Sequence, residues 1–92
     1  MFVIVVRVNV NDFDSSRNQL TNEVVPRVKQ APGFQSGLWT APLEATSGQG
    51  LSMVAFDTED NARKAAEMVR GGGLPDGVEL VDVEVRRVMA SA

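Results

Sequence analysis

Apolar and polar positions alternate from the start of the chain. Phe2, Ile4, Val6, Val8 and Val10 are all apolar, while the intervening set runs Val3, Val5, Arg7, Asn9 and Asn11. A period of two in a β-branched stretch predicts a strand over Phe2–Val10. One of its faces is dry and the other turns polar along its length, so the sheet should be covered by helices on one side only. The period then changes. Leu20, Val24, Val28 and Ala31 recur at helical spacing, predicting a helix that starts at Asp14–Ser16 and runs to about Gln30. Pro26 lies inside it, removes one backbone donor, and predicts a kink near Asn22. Pro32 and Gly33 stop this helix.

Alternation resumes at Phe34–Ala41. With Phe34 turned to the helices, Ser36, Leu38 and Thr40 should follow it, and Gln35, Gly37, Trp39 and Ala41 should face away. Pro42–Gly50 is turn-rich and closes a hairpin onto a third strand, Leu51–Phe56, whose two faces are nearly equally apolar. A second helix is predicted over Glu59–Arg70, capped by Asp57 or Thr58, with a narrow stripe of Ala62, Ala65, Ala66 and Val69. Gly71-Gly72-Gly73 ends it. The last strand, Val78–Met89, should hold Val81, Val83 and Val85 on one face and Leu80, Asp82, Glu84 and Arg86 on the other.

The order βαββαβ predicts an α+β, ferredoxin-like fold in one domain of residues 1–92. Its four-stranded antiparallel sheet should carry two helices on one face. Strands one and three should be central, with four beside one and two beside three.

Composition narrows the chemistry. The chain has no Cys, no His and no Tyr, which removes thiolate chemistry, the commonest general base and the usual haem and metal ligands. No metal site and no cofactor is expected. Ser15-Ser16 reads as capping, since no His is present to activate a serine. The triple glycine follows a helix and so is no phosphate loop. The nine Lys and Arg are scattered against twelve Asp and Glu, so no nucleic-acid partner is expected. No apolar run is long enough to span a membrane, and a cytoplasmic location is expected.

Three residues stand out as ligand contacts. Asn9 could hydrogen-bond a carbonyl or phenol, or merely cap a strand end. Trp39 could stack on an aromatic ligand or fill an interface. Arg7 would share a face with Asp82, Glu84 and Arg86, either perturbing a carboxylate or forming a cross-strand ion network. Phe56 ends the third strand.

The helix end Ala31-Pro32-Gly33-Phe34, together with Leu51-Ser52-Met53-Val54-Ala55-Phe56-Asp57-Thr58-Glu59-Asp60 leading into the second helix, resembles the antibiotic biosynthesis monooxygenase (ABM) group of the dimeric α/β-barrel superfamily. That resemblance implies a homodimer paired through the open sheet faces. It also implies a small apolar or aromatic ligand and, in some relatives, cofactor-free oxygenation. Asn9 stands near an asparagine used by haem-degrading relatives and is the one catalytic candidate. Phe56 stands about where those relatives have a tryptophan, which makes it a fourth candidate ligand contact, and their histidine has no counterpart here. The alternative is a non-catalytic dimeric binding or accessory module.

Overall fold

The computed structural model describes residues 1–92. The order is β1 (Phe2–Val10), α1 (Phe13–Gln19), a π-helical turn (Leu20–Val24), α2 (Val25–Lys29), β2 (Phe34–Thr40), β3 (Gly48–Phe56), α3 (Glu59–Arg70) and β4 (Val78–Arg87). The sheet is antiparallel in the order β2-β3-β1-β4, so the expected ferredoxin-like arrangement is present. No helix is long and apolar enough to cross a membrane.

The core lies between the sheet and α3. Ile4 and Val6 of β1, Val54 and Phe56 of β3 and Val83 of β4 meet Ala62 and Ala66 of α3, both fully buried. Alanine at these two positions lets the helix lie close to the strands. Thr58 caps α3 by accepting from the Asn61 N–H at 3.1 Å.

The first helix begins earlier than the sequence suggests. Asp12 is the cap. Its carboxylate accepts from the Asp14 N–H at 3.0 Å and from the Ser15 hydroxyl at 3.1 Å. A carboxylate at that point satisfies free helix donors and favours the positive end of the helix dipole. The expected kink before Pro26 takes the form of the π-turn, in which the Val25 N–H reaches back to the Leu20 carbonyl. Pro26 has no N–H to give, and the ladder widens where that donor is missing.

Two β-bulges correct the expected faces. The β2–β3 register steps from Phe34↔Phe56 to Ser36↔Ala55, so Gln35 is the extra residue. Beyond it the alternation is reversed: Gly37 and Trp39 face the helices, and Ser36, Leu38 and Thr40 face away. The β1–β4 register steps from Arg7↔Asp82 to Val8↔Leu80, leaving Val81 as the extra residue. Leu80 therefore packs against the core and Val81 is exposed, the opposite of the simple alternation. A one-residue insertion moves every later side chain to the other face.

Candidate functional site

The two faces of the sheet offer two separate sites. The open face is built from the odd-numbered residues of β1 and their register partners. Val3, Val5 and Arg7 lie beside Ala55, Met53 and Leu51 of β3, then Ser36, Leu38 and Thr40 of β2. On the other flank lie Arg86, Glu84 and Asp82 of β4. The β2–β3 half is apolar, with Leu38 at 68%, Met53 at 45% and Leu51 at 37% exposure. The β1–β4 half is ionic.

In the ionic half one Arg7 nitrogen stands 3.4 Å from both Asp82 Oδ2 and Glu84 Oε1, while Arg86 Nε donates to the same Glu84 oxygen at 3.0 Å. The Arg86 guanidinium, and after it that of Arg7, holds the Glu84 carboxyl below its ordinary 4.5, against partial desolvation that pushes it up. A lowered pKa means the pairing is intact above the ordinary value and is lost as pH falls through the folded one. A carbon-detected titration should therefore place the Glu84 midpoint below 4.5, and Arg86→Ala should move it up. A midpoint at or above that value in the unsubstituted protein would refute the pairing. No group of three or more metal-ligating side chains converges.

The second site lies beneath the first helix. A cavity of about 590 Å³ separates that helix from the sheet. Its floor is Val6, Val8 and Val10 of β1 with Gly37 and Trp39 of β2 and Gly50 of β3. Phe13, Leu20, Thr21 and Val24 roof it, and Leu74 and Pro75 close one end. Two glycines keep it open. A Cβ at Gly37 would come within 2.8 Å of the Trp39 ring, and one at Gly50 within 3.4 Å of Phe13 and Val8.

The four expected ligand residues are not brought together. Arg7 and Asn9 belong to the open face, with Asn9 exposed at the strand end between Gln49 and Glu79. Trp39 lies on the opposite face, in the cavity wall. Phe56 is 1% exposed and packs edge-to-face on Phe34 at 6.4 Å, so it is a core residue. Leu51 and Met53 were missed as surface features because β3 reads as apolar on both sides.

No family model matches the chain, and no curated protein matches it. Among solved structures, the second RRM domain of the yeast poly(U)-binding protein Pub1 aligns over 98% of this chain and 98% of that one, with a TM-score of 0.54 and 24% identity. These findings overturn the resemblance to the ABM group. The homodimeric, small-ligand-binding monooxygenase it implied is withdrawn, and so is its dimeric accessory alternative. The expectation of no nucleic-acid partner, drawn from Lys and Arg that are scattered along the chain, falls too, because RNA is also read by stacking on a sheet face, which charge placement does not show. What the alignment establishes for this chain is the fold, shared end to end with an RRM domain.

Proposed function

We propose that residues 1–92 form one binding domain whose open sheet face takes single-stranded RNA in a cytoplasmic setting. The end-to-end fold correspondence with a domain of a poly(U)-binding protein carries this reading. RRM domains bind RNA on the same sheet face, where aromatic side chains on the central strands stack on bases. Their β3 consensus is Lys/Arg-Gly-Phe/Tyr-Gly/Ala-Phe-Val-x-Phe/Tyr. Here Gln49-Gly50-Leu51-Ser52-Met53-Val54-Ala55-Phe56 keeps its Gly, its Val and its final Phe. Leu51 and Met53 occupy the two stacking positions, and both lie on the open face.

The departures set the expected strength. Base–aromatic stacking is worth about 1–3 kcal/mol per base, and aliphatic side chains give only part of it. Arg7 and Arg86 are the cations of the face and are already paired with acids, so few counterions are released on binding. A labelled U-rich oligonucleotide of about ten nucleotides should bind in low salt with a Kd on the order of 100 μM. Arg7→Ala should weaken it several-fold. Leu51→Tyr with Met53→Phe should tighten it by roughly ten-fold or more, since about 1.4 kcal/mol is ten-fold. Fluorescence anisotropy reads all three. No binding at millimolar protein by a chain shown to be folded would overturn the reading.

One observation favours a second occupant. Leu38, Leu51 and Met53 form an exposed aliphatic strip with no aromatic ring in it, and a strip of that kind suits an apolar protein segment as well as a base. If such a segment is the occupant, Met53→Asp displaces it and the oligonucleotide fails to bind even the unsubstituted chain.

A further inference from the structure

We infer that the cavity beneath the first helix is a binding site for a single-chain anionic amphiphile, with its apolar tail inside and its carboxylate at Arg17. The site opens on the helix side of the sheet, although Leu38, Thr40 and Leu51 of the open face also border it, and its argument does not depend on the RNA reading.

Three observations meet here. The cavity, at about 590 Å³, falls within the range of roughly 300–1,000 Å³ typical of small-molecule pockets. Its inner wall is made of Val6, Val8, Val10, Leu20 and Val24 with the Trp39 ring, and it holds no charge at depth. Charge enters only through Asp14 and Arg17 of α1, one turn of helix apart. Arg17 makes no ion pair, unlike Arg7, Arg63, Arg70 and Arg86. It is the one cation of the lining. The π-turn supports the assignment, because it forms the roof through Leu20, Thr21 and Val24, and such turns recur at functional sites. An apolar tail and one anionic head fit this distribution. Asp14 makes no ion pair either, but it lies in the first turn of α1, where the positive end of the helix already favours its charge, so Arg17 is the charge left for a ligand head to meet.

Trp39 is the chain's only tryptophan and lines this cavity and a smaller neighbouring one of about 120 Å³, so its emission reports on this side of the sheet, and Val8→Phe ties the signal to the larger cavity. The probes are decanoate, decanol and decylammonium, each kept below its micelle concentration. Decanoate should shift Trp39 emission saturably at one molecule per chain. It should bind at least five-fold more tightly than decylammonium. Arg17→Gln should bring decanoate to the level of decanol. Val8→Phe should fill the floor and abolish all three responses, while circular dichroism confirms the fold. A preference for decylammonium, an unsaturable response, or binding indifferent to both substitutions would overturn the inference. If Val8→Phe fails to fold, Arg17→Gln alone decides. Oligonucleotide binding by the same samples separates this result from that of the open face.

Discussion

Replacing Phe56 by alanine should remove about 3–5 kcal/mol of stability, the usual cost of deleting a fully buried aromatic ring. Phe56 is the largest side chain in the core that is fully shut off from solvent, at 1% exposure. It closes the end of β3, pairs in register with Phe2 on one side and Phe34 on the other, and meets the Phe34 ring at 80°. The edge-to-face pair adds about 0.5–1.5 kcal/mol beyond area burial. A domain this size has only about 5–14 kcal/mol in total, so the substitution takes about a fifth of it at the least and most of it at the worst. Thermal unfolding should show a midpoint lower by roughly 12–40 °C, given about 4–8 °C per kcal/mol at this length. Phe56→Leu should cost less than half as much, because it keeps most of the volume. A loss below about 1 kcal/mol for the alanine variant would mean that Phe56 does not anchor the core. The residue expected from sequence to touch a ligand is, on this account, one whose loss is felt as unfolding before it is felt as binding.

How much of this was legible in the chain depends on where its periodicity is unbroken. β1 alternates without interruption, and its dry set, Phe2 to Val10, does face the helices. Element order and strand order followed from that clean start and from the two helical stretches. The faces of β2 and β4 did not follow. Gln35 and Val81 each add one residue to a strand without a Gly or Pro to announce it, and each reverses the alternation beyond. Trp39 was therefore expected on the open face and stands in the cavity wall, while Leu38 took the exposed place. Bulges are set by the pairing of two strands, and that is a tertiary fact. The cavity was hidden for a similar reason. It is a gap between a helix and a sheet, made by Gly37, Gly50 and a π-turn whose widening depends on Pro26, and no single stretch of sequence encodes a gap. The open face was hidden by side-chain type: without aromatic residues at positions 51 and 53, β3 looks like an ordinary buried strand.

Gly33→Ala should be the other severe substitution, at about 2–5 kcal/mol. Two separable effects add. Gly33 has φ +77°, a conformation that costs an L-residue about 1–2 kcal/mol. Its Cβ would also overlap Asp57 Oδ1, an overpacking of a kind that costs about 1–3 kcal/mol. The close approach has a structural cause. The Gly33 carbonyl accepts from the Asp57 N–H at 3.0 Å, and Asp57 Oδ1 is held by Asn61 Nδ2 at 2.8 Å. Together these join the end of the first helix to the start of α3, and β2 enters the sheet from this point. A double-mutant cycle divides the two effects. In an Asp57→Ala background the nearest obstructing oxygen is gone and Asn61 Nδ2, the next atom in the way, loses the partner that holds it there, so Gly33→Ala should fall to the conformational cost alone, about 1–2 kcal/mol. Urea unfolding of the four proteins measures it. An unchanged cost in the Asp57→Ala background would show that backbone conformation carries the whole penalty and that the carboxylate moves aside freely. A cost near zero in both backgrounds would mean that residue 33 does not need the left-handed conformation and that the turn after the first helix can be built another way.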